Sequence, residues 1–171
     1  MYTSIALINE NLFKQHSPVT SNADLTEFIP YLAIAQDLYI APVLGESLLS
    51  ELKDQIETDS LSEVNSILIL KIAPALSFLA VYQGLPFHWA SIVNKGITIR
   101  ESENSKGIDI NDVAQLRRWI KDDAGIFLKL LGEYLYSHRI DYPLWKPLDD
   151  CGCTESSSGK HFDSGFYFPV K

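Results

Sequence analysis

The residues best suited to metal chemistry lie near the end of the chain, where one glycine separates Cys151 from Cys153 and His161 follows. Thiolate sulfur and imidazole nitrogen are good zinc ligands, but a structural zinc site takes four ligands, and its paired cysteines usually have two or more residues between them. This segment supplies only three ligands. The sequence therefore favours two reduced thiols in a loop, with a redox role or a strained disulfide as the alternatives, and we expect neither a metal nor another cofactor.

Acid–base or nucleophilic catalysis requires reactive side chains that face one another. The acidic pairs Asp122-Asp123 and Asp149-Asp150 are adjacent in sequence, and neighbours in a helix point about 100° apart, so we expect both pairs on solvated surfaces. His88 lies in an aromatic cluster and is expected at the core or its rim. The sequence contains no nucleophile-elbow, zinc-protease, phosphate-loop or dinucleotide-binding motif. It therefore predicts that the protein is not an enzyme.

The charge of the chain argues against a protein that grips nucleic acid. Fourteen Lys and Arg residues stand against 22 Asp and Glu residues, for a formal net charge of −8, whereas affinity for phosphate backbones comes chiefly from clustered basic residues. The densest basic spot, Arg117-Arg118, is followed one turn later by Asp122-Asp123. An acidic surface remains compatible with DNA that slides past without being bound.

One apolar stretch, 67–85, approaches the length of a membrane span. It is interrupted by Lys71, Pro74 and Gly84, so a buried pair of helices explains it better than a bilayer does. The first fifteen residues lack the basic region and the long apolar run of a signal peptide, and two cysteines are too few for a disulfide framework. We therefore expect a soluble protein made in a cytoplasm.

Apolar residues at helical spacing predict that most of the chain is α-helical. We expect a short helix at 22–28 and a longer one from Pro30 to about Ala41. A second amphipathic helix follows, with Leu48 and Leu52 on its apolar face. Between these last two helices, the sequence predicts a corner.

Pro42 and Gly45 define that predicted corner. Pro42 prevents the first helix from continuing, and Gly45 permits a positive φ. Beyond it, a largely buried helix is expected from a cap at Ser60 or Ser62 to a kink or break at Gly84-Leu85-Pro86. The longest helix is expected over about 112–138, after a cap at Asp109 or Asn111.

Residues 96–108 are the one predicted β-hairpin, because Ile97 and Ile99 alternate with polar residues before a turn-rich stretch. The predicted fold is mainly α, a bundle of four to five helices with one small β-hairpin and extended N- and C-terminal arms. The predicted divisions are an N-terminal arm at 1–20, a helical domain at 21–147 and a C-terminal tail at 148–171.

The C-terminal tail differs in composition from the rest of the chain. A Ser/Gly-rich spacer at 154–159 leads to the aromatic residues Phe162, Phe166, Tyr167 and Phe168. Small residues followed by aromatic ones are typical of a flexible arm with a docking end. A strand or loop packed on the chain's own core is the alternative.

Three segments carry a resemblance to a known family. The run FIPYLAIAQDLYIAPVLGESLLSELKDQI at 28–56, with KIAPALSFLAVYQGLPF at 71–87 and VNKGI at 93–97, resembles the head–tail connector (adaptor) proteins of tailed bacteriophages. The nearest resemblance is to those of phages and prophages of gut anaerobes, including crAss-like phages. It covers roughly residues 8–140 and rests on a proline-bounded corner and on helix faces.

The resemblance implies a structural virion protein that forms a ring, typically of twelve copies, below the portal, where it continues the DNA channel and seats the tail. The implied partners are further copies of the chain, the portal protein, and tail or second-ring proteins. DNA would pass through the channel without specific binding, and no membrane is involved. The protein would be assembled in the host cytoplasm and reside at the head–tail junction of the virion.

In this interpretation the hairpin reaches a neighbour or the channel, and the tail docks on a neighbouring subunit or on the next component of the assembly. The expected interface residues are Ile97, Ile99, Arg100, Phe162, Phe166, Tyr167 and Phe168, and the expected core residues are Leu48, Leu52, Leu76, Leu79, Leu116 and Phe127. The alternative function is a cytoplasmic helical protein-binding module or regulator without enzymatic activity. A connector forms or joins rings, whereas a regulator is a monomer or dimer.

Overall fold

The computed structural model describes residues 5–19, 25–93, 96–99 and 109–146, and this part of the chain is mainly helical. The α-helices are α1 (Glu10–His16), α2 (Ile29–Ala35), α3 (Ala41–Leu44), α4 (Glu46–Glu57), α5 (Glu63–Trp89) and α6 (Ile110–Ser137). A 3-10 turn (Leu25–Phe28) precedes α2, and a π-helical turn (Gln36–Ile40) joins α2 to α3. Two short strands, β1 (Ala90–Val93) and β2 (Gly96–Ile99), follow α5.

The N-terminal segment is not an extended arm over the residues that the structure describes. Asn9 caps α1 by accepting a hydrogen bond from the Leu12 amide at 2.9 Å, and Phe13 is buried in the core, 6.0 Å from the ring of Phe28. Leu7 and Ile8 are buried as well. The prediction of an arm over 1–20 is therefore wrong for these residues, because burial of one aromatic ring stabilises a helix too short to be stable alone.

Gln36 holds the segment before α1 in place. Its side chain is buried, accepts a hydrogen bond from the Leu7 amide at 2.9 Å, and donates one to the Ile5 carbonyl at 3.0 Å. One side-chain amide thus makes the donor–acceptor pair that a neighbouring strand would otherwise supply. The π-helical turn that begins at Gln36 is the element that carries this side chain.

Pro42 does not end the helix that precedes it. The helix continues as the wider π-helical turn, in which the Ala41 amide donates to the Gln36 carbonyl. Pro42 lies in the first turn of α3, where its missing N–H costs little. The helical path is interrupted three residues later, at Gly45, whose φ is +76° and ψ is 157°. L-residues with a side chain rarely adopt this conformation.

Helix α5 is a single continuous helix. Of the expected kink or break at Gly84-Leu85-Pro86, a break is therefore wrong, and so is the expected pair of helices. Ser62 caps its start by accepting a hydrogen bond from the Asn65 amide. Pro86 lies in the last turn and cannot donate to the Tyr82 carbonyl, which instead accepts a hydrogen bond from Arg117 Nε at 3.2 Å. A partner from α6 therefore compensates for the proline.

Among the described residues, α5 is the one helix that is long and apolar enough, by length and composition, to cross a membrane. In the structure, 61% of its most apolar window is buried inside the protein. Burial in the core is sufficient to account for that apolar composition.

Helices α5 and α6 pack antiparallel. Phe78 contacts Phe127 edge to face at 5.2 Å, and Tyr142, beyond the end of α6, donates to the carbonyl of Val64 at the start of α5. Asp109 caps α6 through the Asn111 amide at 2.8 Å.

Most of the predicted core residues are buried, and one is not. Leu48, Leu52, Leu76 and Leu79 are buried, and Phe127 packs half-buried against them. Leu116 is 37% exposed, because α6 turns other residues toward the core: Val113, Ile120, Ala124, Leu131 and Leu135.

The two strands pair antiparallel, with Ala90 opposite Ile99 and Val93 opposite Gly96. In the structure, β2 pairs with the preceding segment, β1. The sequence instead predicts a hairpin within residues 96–108. Arg100 and the rest of 100–108 lie outside the described residues.

Gly45 generates a first prediction. Gly45→Ala should lower the free energy of unfolding by about 1–3 kcal/mol, since its backbone conformation disfavours any Cβ. Gly132→Ala is the matched control, because nothing lies within 4 Å of a Cβ placed there, and it should raise that free energy by about 0.5–1 kcal/mol. Urea denaturation measures both, and equal stability of Gly45→Ala and the wild type would refute the strained corner.

A second prediction concerns the contact between α5 and the start of α2. A Cβ on Gly84 would lie 2.9 Å from Tyr31 Cδ2 and 3.0 Å from Phe28 Cδ1. Gly84→Ala should therefore lower the melting temperature despite its better helix propensity, at a net cost of about 1 kcal/mol or more. Gly125→Ala, which meets no atom within 4 Å, should raise it. If both variants are stabilised alike, the close approach of the two helices is not tight.

Candidate interaction surfaces

Helix α6 carries a second apolar face besides the one that packs on the core. Leu116, Trp119, Ile126 and Leu130 are 37%, 60%, 58% and 53% exposed, and their spacing of three, seven and four residues places them on one side of the helix. At about 100° per residue, this α6 outer stripe lies roughly a third of a turn from the core-facing side. An amphipathic helix of a lone domain has no need of such a stripe.

A second exposed apolar surface lies on α2 and the π-helical turn. Ile34 and Leu38, four residues apart on one side, are 43% and 57% exposed, and we call them the α2 patch. Ile29 is also exposed, at 60%, but it lies about 140° from Ile34 around the helix. Both α2 and α6 pack against α5, but they make little contact with each other. The α2 patch and the α6 outer stripe therefore lie on separate flanks of the central helix.

A groove opens between the end of α5 and the start of α6. It has a volume of about 620 Å³, and its lining is largely apolar and aromatic. Phe87 and Ile110 on its walls are 46% and 61% exposed, whereas Val113 and Ala90 at its base are buried. We call it the helix-pair groove.

Basic side chains line one side of the helix-pair groove. Arg117 donates to the Tyr82 carbonyl and lies over the Tyr82 ring, with its guanidinium carbon 4.1 Å from the ring centroid. Arg118, the next residue, and Lys121, one turn further along α6, also line the groove. The groove therefore combines an apolar base with a cationic edge, which suits an occupant that is aromatic and acidic.

The segment after α6 is anchored at the opposite end of the α5–α6 pair. Tyr142 is 2% exposed, and its hydroxyl donates to the Val64 carbonyl at 3.0 Å and lies 3.2 Å from the Tyr134 hydroxyl. Burial raises the pKa of Tyr142, and the hydrogen bond with Tyr134 is a second, smaller cause of the increase. Trp145 Nε1 donates to the Val43 carbonyl at 2.9 Å. The chain therefore leaves the described structure at Lys146, whose carbonyl lies close to Gly45.

The structure leaves most of the predicted interface outside its description. Ile97 and Ile99 lie in β2, and Arg100 falls beyond the described residues. The aromatic residues of the tail and the thiols also fall outside: Phe162, Phe166, Tyr167, Phe168, Cys151 and Cys153. These residues remain predictions.

The described residues include no group of three His, Cys, Asp or Glu side chains arranged to hold a metal ion. His88 is an exposed rim residue whose Nδ1 lies 2.9 Å from Glu27 Oε2. Asp122 and Asp123 are both exposed on α6. None of these groups forms a set that converges on one point.

The surfaces themselves went unrecognised in the sequence, although one signal was present. The apolar positions of α6 are too many for a single face, and their spacing separates into a buried series and the outer stripe. The helix-pair groove has no such signal, because its two walls are more than twenty residues apart in the chain.

Comparison with known proteins places the chain in a family. The model of DUF6712, a family of unknown function, matches residues 40–155, and the chain belongs to this family. The match begins at the end of the π-helical turn and includes α3 to α6 and the anchored segment at 138–146. No curated protein matches the chain, and neither does any solved structure.

The anchor generates a third prediction. Tyr142→Phe should lower the free energy of unfolding by about 1 kcal/mol at neutral pH, since it removes the hydrogen bonds to Val64 and Tyr134. The raised pKa also means that the unfolded chain loses this proton first, so the wild type should lose stability as pH rises above the ordinary tyrosine value of 10.0. Denaturant midpoints between pH 7 and 11 should show a shallower decline in Tyr142→Phe.

Tyr136→Phe is the matched control for this experiment, because Tyr136 is 63% exposed. It should leave both the stability at neutral pH and its alkaline decline unchanged. The anchor would be disproved by identical pH profiles for Tyr142→Phe, Tyr136→Phe and the wild type.

Proposed function

We propose that this protein is a structural head-to-tail connector of a tailed bacteriophage, which forms a ring below the portal, continues the DNA channel and seats the tail. The observation that carries the proposal is the pair of exposed apolar surfaces, the α6 outer stripe and the α2 patch, on separate flanks of α5. The sequence resemblance over 8–140 supports it independently.

Two different surfaces on separate flanks are what a ring contact requires. A two-fold dimer uses one self-complementary patch, whereas a head-to-tail contact joins two unlike patches and generates a ring when the rotation closes. In the proposed ring, the α6 outer stripe of one subunit packs on the α2 patch of the next. Trp119 is the expected anchor, since large aromatic side chains dominate the energy of such contacts.

The charge of the chain fits a channel wall. A net charge of −8 repels phosphate backbones, so DNA passes without being held. The proposed partners are the portal protein above the ring and tail or second-ring proteins below it. The predicted hairpin at 96–108, of which the structure describes β2, is proposed to reach a neighbour or the channel through Ile97, Ile99 and Arg100.

A cytoplasmic helical protein-binding module is the second candidate. The helix-pair groove favours it, because an apolar groove with a cationic edge suits a peptide from another protein. Such a module needs no contact between its own copies. The mass of the assembled protein therefore separates the two candidates.

The proposed ring generates a fourth prediction. Native mass measurement should find a closed ring, and twelve copies of the 19.2 kDa chain would weigh about 230 kDa. Ile126→Lys, on the α6 outer stripe, should leave the melting temperature unchanged because Ile126 is 58% exposed, yet it should shift the protein to monomers by burying an unpaired charge in the contact.

Tyr136→Lys is the matched control for Ile126→Lys. Tyr136 is also an exposed apolar residue of α6, at 63%, but it lies about a third of a turn from the centre of the outer stripe. It should leave the ring intact. A monomer or dimer at every concentration, alone and with the portal protein, would count against the connector and in favour of the binding module.

A further inference from the structure

We infer that the helix-pair groove of one copy binds the aromatic C-terminal segment, residues 162–168, of a neighbouring copy. This inference rests on the proposed self-assembly and adds to it a receptor for the tail. The groove and the segment correspond in chemistry, in charge and in their positions on the molecule.

The chemistry of the groove calls for aromatic side chains. Its walls carry the rings of Tyr82, Phe87 and Trp89, and its volume of about 620 Å³ lies within the roughly 300–1,000 Å³ of pockets that enclose a ligand. The segment HFDSGFYFPV at 161–170 has four Phe or Tyr residues. Aromatic rings pack edge to face or offset against one another, which adds to the free energy of their burial.

The acidic residues of the tail, most of which precede the aromatic segment, complement the cationic edge of the groove. Arg117, Arg118 and Lys121 edge the groove. The chain beyond Lys146 carries four acidic side chains, Asp149, Asp150, Glu155 and Asp163, against two lysines, Lys160 and Lys171. The approach of an acidic tail to a cationic edge accelerates association and orients the segment.

The segment that enters α6 is a poorer occupant than the tail. Residues 100–108 read RESENSKGI, with one apolar residue and no aromatic ring. This segment cannot supply the side chains that an aromatic groove accommodates. The tail is the aromatic-rich part of the chain outside the described residues.

The positions of the two partners allow a contact between successive copies. Tyr142 anchors the chain beside the start of α5, and the described chain ends four residues later at Lys146, beside Gly45. The groove lies at the start of α6, about 35 Å from the Tyr142 anchor along that helix. A donor at one end of the helix pair and an acceptor at the other make a head-to-tail contact between successive subunits. The fifteen residues at 147–161 span up to about 50 Å when extended, which exceeds the distance to the copy's own groove, and the cross-linking experiment below separates that groove from the groove of a neighbour.

The test places a photo-reactive benzoylphenylalanine at Phe166 in the full chain. Copies labelled with ¹⁵N and unlabelled copies are mixed, irradiated and digested, and the cross-linked peptides are identified by mass. The expected cross-links join Phe166 to the end of α5 or to the first three turns of α6, and they include pairs of one labelled and one unlabelled chain. The mass of the assembly is measured in the same sample.

Two variants at adjacent exposed positions provide a matched comparison. Ala114→Glu places a carboxylate in the groove and should reduce the cross-link yield about tenfold, the effect of 1.4 kcal/mol. Gln115→Glu adds the same charge one residue away and does not line the groove, so it should leave the yield unchanged. Circular dichroism checks that both variants fold, and a free peptide of residues 160–171 should compete with the cross-link in the unmodified chain.

Three results would overturn the inference. Cross-links to the groove that join only residues of one chain would show that the tail binds its own copy. Cross-links to other surfaces within intact rings would remove the groove as receptor and leave the proposed connector standing. A protein that stays monomeric, with no cross-link between chains, would defeat the connector and this inference together.

Discussion

The structure depends on the covering of α5, a helix that is apolar around most of its circumference. An ordinary surface helix needs a partner on one face, but α5 needs partners on several, and α1, α2 and α6 each pack against it. This packing holds the short N-terminal helix α1 in place, because the Phe13 side chain of α1 is buried in the core around α5. Placement of the flanking helices around α5 in turn decides which of their remaining apolar residues face outward.

The contact between Arg117 and Tyr82 links this architecture to the helix-pair groove. Pro86 leaves the Tyr82 carbonyl without its helical donor, and Arg117 from α6 supplies one. The same guanidinium lies over the Tyr82 ring and contributes charge to the edge of the groove. The donor missing at Pro86 in α5 is thus replaced by Arg117 of α6. The contact that docks α6 on α5 therefore also places positive charge at the edge of the groove.

Local rules sufficed where a helix boundary depends on nearby residues. The cap at Ser62, the cap at Asp109 and the amphipathic α4 follow from side-chain chemistry within one or two turns of each boundary. They failed where a distant partner decides the outcome. Residues 84–86 contain the two strongest helix breakers, yet α5 continues through them because Gly84 accommodates the rings of Phe28 and Tyr31 and Arg117 compensates for Pro86. Leu116 obeys the helical period but faces outward, and no short-range pattern brings together the two walls of the groove.

The Gln36 side chain determines how the N-terminal segment responds to salt and pH. Its two hydrogen bonds join a buried, neutral amide to neutral backbone groups. The bond from Leu7 is buried, and the bond to Ile5 is partly buried. Counter-ions do not screen such contacts, and no proton is gained or lost at either end across the physiological range. The two hydrogen bonds are therefore insensitive to ionic strength and acidity, whereas any interaction of the cationic edge of the groove with an opposite charge weakens as salt is added. The protein thus has a contact at Gln36 that salt leaves unchanged and a basic groove edge whose interactions depend on salt.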